Sequence, residues 1–176
     1  DGTIPRSFAD VVKDVAPSVV RVNTETKVAP STRMPNMEIN PWFDRFFERG
    51  PRTRSPEPPI RQGLGSGVIV SSDGYILTNN HVVNGAERIE VVLTEPERTY
   101  QAELVGRDPK TDLAVLKIEV DELPFTRIGD SNQIQVGDLV LAIGNPFGVG
   151  QTVTMGIIGG TGRASIGLDY EDFIQT

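Results

Sequence analysis

Proton transfer near neutral pH calls first for an imidazole, and the chain holds a single histidine, His81. It follows the strand-like run Tyr75-Ile76-Leu77-Thr78, inside Thr78-Asn79-Asn80-His81-Val82-Val83. A carboxylate able to orient that ring, Asp112, opens the apolar run Leu113-Ala114-Val115-Leu116-Lys117-Ile118. An acid at the mouth of so apolar a strand is partly buried, which is costly unless a partner hydrogen-bonds it. A base of this kind serves an activated hydroxyl nucleophile, but Ser66, in Gly65-Ser66-Gly67, lacks a second glycine after the serine and is not read as one. Taken singly, each residue has an ordinary reading. His81 suits a surface or satisfied core position, Asp112 suits a turn cap after Pro109-Lys110-Thr111, and Ser66 suits a structural strand. No metal site is expected, because with one histidine and no cysteine carboxylates would have to complete it.

The elements that would position these residues are short. Phe8, Val11, Val12 and Val15 fall at i, i+3, i+4 and i+7, with Ser7 placed to cap the start and Pro17 after the end, which predicts a short amphipathic helix. Ser18 to Thr24 reads as a first strand of β-branched residues. Residues 28–62 hold more than half of the chain's 13 prolines and read as a long, mobile loop outside any sheet. Within it Trp42, Phe43, Phe46 and Phe47 make an aromatic patch, suited to packing on the domain itself or docking on another subunit. Beyond Gly63 the texture is all-β. Strands are expected over Gly67–Ser71, Tyr75–Thr78, Arg88–Leu93, Thr99–Val105, Leu113–Ile118, Leu139–Ile143 and Thr152–Ile158. Many short strands with turn residues between them point to a barrel or sandwich.

Composition narrows the partners. A net charge of -7 argues against a nucleic-acid ligand, which requires a basic face. The absence of cysteine excludes disulfides and thiol nucleophiles. No apolar run approaches the ~20 residues that span a bilayer, and the start Asp1-Gly2-Thr3 lacks the features of a signal peptide, so the chain reads as soluble, mature or trimmed. Gly144-Asn145-Pro146-Phe147-Gly148-Val149-Gly150 lacks the lysine and serine of a phosphate loop. Asp169, Glu171 and Asp172 read as a solvated turn.

Whole strings carry more than single residues. The run from Gly65-Ser66-Gly67-Val68 through Asp73-Gly74-Tyr75-Ile76-Leu77-Thr78-Asn79-Asn80-His81-Val82-Val83 resembles the segment around the catalytic histidine of the bacterial Deg/HtrA serine endopeptidases. Asp108-Pro109-Lys110-Thr111-Asp112-Leu113-Ala114 is similar to that around the catalytic aspartate. Gly129-Asp130-Ser131, Val136-Gly137-Asp138, Ala142-Ile143-Gly144-Asn145-Pro146-Phe147-Gly148 and Gln151-Thr152-Val153-Thr154 follow in family order. The likeness covers residues 7–27 and 63–176.

This resemblance implies an all-β, trypsin-like double β-barrel with a short N-terminal helix, the first barrel complete and the second only begun. It divides the chain into an N-terminal oligomerisation segment (1–27), the loop (28–62), the rest of the first barrel with His81 and Asp112 (63–143), and the inter-barrel link with the start of the second barrel (144–176). His81 would be the general base, with Asp112 holding its ring. The family's nucleophile lies in a Gly-Asn-Ser-Gly-Gly run that is missing here, and is expected beyond Thr176, which makes the 176 residues inactive by themselves. Met155-Gly156-Ile157-Ile158-Gly159-Gly160-Thr161-Gly162-Arg163 departs modestly from the family pattern. By resemblance the enzyme needs no cofactor and no metal, works in the bacterial periplasm or cell envelope in stress-related protein quality control with chaperone character, and cleaves unfolded proteins. It would form a homotrimer through the N-terminal segment, with Phe8 a candidate contact, and higher oligomers through the 28–62 loop. PDZ domains would follow in the parent protein. The alternative is a non-catalytic β-barrel module for binding or assembly.

Overall fold

The computed structural model describes residues 7–27, 60–145, 150–163 and 173–176. Helix α1 spans Ala9–Val15, and the Ala9 N–H donates to Ser7 Oγ at 3.1 Å. Its apolar face is only half covered, since no residue of the helix is buried and Val11 stays 52% exposed. A 3₁₀ turn, Ala16–Ser18, takes in Pro17 and leads into β1, Val19–Lys27. The strands that follow are β2 (Ile60–Ile69), β3 (Tyr75–Asn79), β4 (Arg88–Thr94), β5 (Glu97–Gln101), β6 (Glu103–Asp108) and β7 (Leu113–Lys117).

All seven pair antiparallel in the order β5-β4-β1-β2-β3-β7-β6. The two edge strands, β5 and β6, are consecutive in the chain and separated only by Ala102, whose N–H donates to Ile89 O at 2.9 Å. One long bent strand thus pairs with β4 through its first half and β7 through its second. The sheet curls, and its two ends, β5 and β6, are joined through Ala102. The expected single strand Thr99–Val105 is therefore divided at Ala102, where the chain turns from one neighbour to the other.

Period-two alternation points Val20 and Val22 of β1, Ile76 of β3, Ile89 and Val91 of β4, and Ala114 and Leu116 of β7 into one core, joined by Ile69, Val83, Ile118 and Leu123. Each fully buried aliphatic side chain contributes about 1.5–3 kcal/mol. The turn into β3 needs Gly74, whose φ is +102°, and a Cβ there would lie 2.2 Å from Ile118 O.

The Pro-rich segment ends sooner than its composition suggests. Ile60, Arg61 and Gln62 belong to β2 and pair with Lys27, Thr26 and Glu25, so the loop reading of 28–62 is corrected at its last three residues. The backbone N–H and C=O groups of a β1 extended to Lys27 find partners there, and three residues after a proline cluster show no alternation that would reveal it. Residues 28–59, with the Trp42–Phe47 patch, and Asp169, Glu171 and Asp172 lie outside the described residues.

After β7 the chain crosses a 3₁₀ turn at Ser131–Gln133, capped by Asp130. The Asn132 N–H, then the side-chain amides of Gln133 and Asn132, hold the Asp130 carboxyl below its ordinary value. Two hairpins follow: β8 (Leu139–Gly144) with β9 (Thr152–Ile157), and β10 (Gly160–Arg163) with β11 (Phe173–Gln175). The last two strands are too short to carry a periodic signal: Gly160-Thr161-Gly162-Arg163 holds one β-branched residue between glycines, and β11 is only Phe173-Ile174-Gln175. The β8–β9 hairpin leaves Leu139, Met155 and Ile157 exposed.

A helical turn, α2 (Asn80–Val83), leaves β3 and packs across β2 at Gly65. A Cβ on Gly65 would sit 2.7 Å from both γ-methyls of Val82, and a β-branched side chain in a helix has little rotameric room to yield. Gly65→Ala is expected to destabilise the protein by about 1–3 kcal/mol in urea unfolding. Gly106→Ala, where no atom lies within 4 Å of the added carbon, should stay within about 0.5 kcal/mol of the parent. Equal losses at both positions would refute the close approach of α2 to β2.

Candidate active site

Strands β3 and β7 are neighbours, and their pairing ends at Asn79 opposite Leu113. The residues just beyond that pair, Asn80-His81 on one side and Asp112 on the other, must therefore meet. Asp112 has a φ of +56°, in the left-handed region that Asp tolerates better than most side chains. In this conformation its backbone and side chain both face residues 79–81. Asp112 O accepts from Asn80 N at 3.0 Å, and Asp112 Oδ1 accepts from His81 N at 2.8 Å. Asp112 Oδ2 lies 2.6 Å from His81 Nδ1. The first free N–H groups of α2 are thus capped by a residue distant in sequence, and Asn79, at the N-cap, makes no side-chain cap of its own.

The turn before β7 is held by Asp108 instead, which accepts from Lys110 N at 2.9 Å and Thr111 Oγ1 at 3.0 Å. That relieves Asp112 of the capping role its position suggests. An ionised carboxylate can only accept, so a neutral His81 ring facing it carries its proton on Nδ1. Nε2 is then left with a lone pair. The His81 side chain is 65% exposed and that of Asp112 only 22%, so the acid is sheltered behind a ring whose far edge is open. The arrangement can accept a proton at Nε2 and stabilise the resulting cation through Oδ2. Among the described residues no group of three or more His, Cys, Asp and Glu is placed to hold a metal.

Ser66 is engaged elsewhere. Its Oγ accepts from Asn145 N at 2.9 Å, and its carbonyl accepts from Thr78 Oγ1 at 2.8 Å. Ser66 therefore links the end of β8 to β3, the strand that leads into α2 and His81. A second link is Gln151, whose Nε2 donates among Ala16 O, Val19 O at 3.1 Å and Thr94 Oγ1 at 3.2 Å. Neither link, nor the reach of Asn79 toward Asp112, was deduced from the sequence. Single polar side chains bonded across the fold leave no local pattern.

The chain is similar to known proteins over most of its length. The family model described as a trypsin-like peptidase domain matches residues 65–176. A probable periplasmic serine endoprotease, DegP-like, from Marinomonas sp. (strain MWYL1) is 46% identical over 96% of this chain and 38% of its own length. Among solved structures, the HtrA-type protease AlgW with a decapeptide is 46% identical with a TM-score of 0.72, covering 96% of this chain and 50% of that one. The serine endoprotease of Yersinia pestis is 41% identical with a TM-score of 0.64, covering 91% and 47%. The chain thus spans half or less of the length of these relatives.

Ser66→Ala should speed hydrogen exchange at the Asn145 amide and cost about 0.5–1.5 kcal/mol, the usual worth of one hydrogen bond. The His81 ring resonances should shift little. An Asn145 amide that exchanges at the parent's rate would show that Ser66 does not tether β8.

Proposed function

Because the chain belongs to the trypsin-like peptidase family, among its HtrA/DegP-like serine endoproteases, we propose that His81 and Asp112 are the base and the orienting acid of a Ser-His-Asp triad. The observation that carries this reading is the double contact of one carboxylate with one histidine, Oδ2 to the ring at 2.6 Å and Oδ1 to the backbone N–H at 2.8 Å. The serine is supplied from outside these 176 residues, in the part of the relatives' length that the chain does not span. As its hydroxyl oxygen bonds to the substrate carbonyl carbon, its proton passes to His81 Nε2. The same proton then goes to the leaving amine as the peptide C–N bond breaks. Water, deprotonated by the same nitrogen, hydrolyses the acyl-enzyme. Asp112 stays ionised throughout, fixing the tautomer and stabilising the imidazolium.

The relatives' names support a bacterial periplasmic location and protein substrates. Unfolded segments suit such an endopeptidase, because their backbone is not already paired within a fold. Assembly as a homotrimer would use α1, whose half-covered apolar face includes the exposed Val11.

On the 176-residue chain a fluorophosphonate, which labels only an activated serine, is expected to leave no adduct. The protein extended through the downstream serine should be labelled stoichiometrically and should cleave an unfolded reporter protein faster than its folded form. In that protein His81→Ala should abolish labelling, and Asp112→Asn should slow turnover by something on the order of 10⁴-fold, through the wrong tautomer. Labelling of the short chain at Ser66, or full activity without His81, would falsify the assignment.

A further inference from the structure

An exposed asparagine at the end of β3 has no evident reason to be there. Asn79 occupies the N-cap of α2, where asparagine ordinarily accepts a backbone N–H from the following turn, yet it makes no such bond. The N–H it would serve, that of His81, is already taken by Asp112 Oδ1. Its Nδ2 points instead at Asp112, 3.2 Å from the carbonyl oxygen and 3.3 Å from Oδ2. Both partners only accept, so the amide must present its NH₂ group to them, and the two hydrogens allow one bond to each.

The remaining contacts of the carboxylate are circular. Oδ1 is held by the His81 backbone and Oδ2 faces the His81 ring, so the acid is oriented by the very residue it has to orient. Asn79 breaks that circle. It ties Oδ2 to the backbone of Asp112, which is itself anchored beside the β3–β7 ladder. With His81 Nδ1–H and Asn79 Nδ2–H both donating to Oδ2, the two lone pairs of that oxygen are occupied, and water has no place to compete with the ring.

We infer that Asn79 is a positioning residue for the proposed triad, holding Asp112 Oδ2 so that His81 keeps its proton on Nδ1 and its lone pair on Nε2. This rests on the triad reading of His81 and Asp112. Asn79 touches neither substrate nor the reacting atoms and acts only through the aspartate.

The test reads the His81 ring directly by ¹⁵N and low-field ¹H NMR of the labelled protein at a pH where the ring is neutral, with the signal assigned through His81→Gln. The parent should show one tautomer, protonated at Nδ1, with a slowly exchanging low-field proton. In Asn79→Ala that proton signal should broaden or vanish and the ring nitrogens should move toward a tautomer mixture, while the amide spectrum of the barrel is preserved. In the serine-bearing protein the same change should lower kcat about ten-fold, the worth of one charge-assisted bond, and leave KM within about two-fold. A parent that lacks the Nδ1 proton would sink the triad reading itself. A parent that shows it and an Asn79→Ala protein that keeps it unchanged would overturn the role of Asn79 alone. Collapse of the amide spectrum in Asn79→Ala would also overturn it, by assigning the residue to the fold.

Discussion

Five short contacts between Asp112 and the three consecutive residues Asn79, Asn80 and His81 hold the site together. They join the end of β3 to the beginning of β7, start the helical turn α2, and set the histidine ring. Each job depends on the same left-handed backbone at Asp112, a conformation of the kind found where surrounding structure overdetermines a functional residue. The cost of placing a carboxylate at the mouth of an apolar strand is offset because every acceptor it offers is used. Helix, ladder and site thereby depend on one another, and a change in any of them is felt at the imidazole.

The barrel supplies rigidity for this arrangement. The bent strand β5–β6 curls the first sheet so that its two ends meet at Ala102, and its aliphatic core fixes β3 and β7 beneath the site. Ser66 to Asn145 and the side-chain amide of Gln151 bond the first barrel to the β8–β9 hairpin. On the proposed triad reading, these tethers help to fix the β8–β9 hairpin relative to His81. The Nε2 edge of His81 stays open to solvent.

Much of the first barrel is legible in the sequence because alternation marks strands with one buried face. β1 shows it, β3, β4 and β7 show as short apolar runs between turn residues, and the expected limits of all four lie within three residues of the observed ones. The failures share a cause. Ile60-Arg61-Gln62 becomes strand only because β1 offers it a partner, β5 and β6 divide where the chain turns from β4 to β7, and β10 and β11 are too short to show periodicity alone. Pairing is a property of two segments, and one segment read alone cannot report it.

The same division runs through the site. The types of His81 and Asp112, their places at the end of one strand and the start of another, and their likeness to a protease family were all present in the linear chain. Local chemistry alone left each with an ordinary alternative, and the turn-capping role open to Asp112 falls to Asp108. What only the tertiary structure decided is the set of bonds from Asn79, Asn80 and His81 to one aspartate, and the use of Ser66 as a tether. Those bonds follow from the antiparallel register that ends at Asn79 opposite Leu113, which brings residues far apart in the chain within 3 Å. Register is set by the packing of the whole barrel, and no single segment of the sequence contains it.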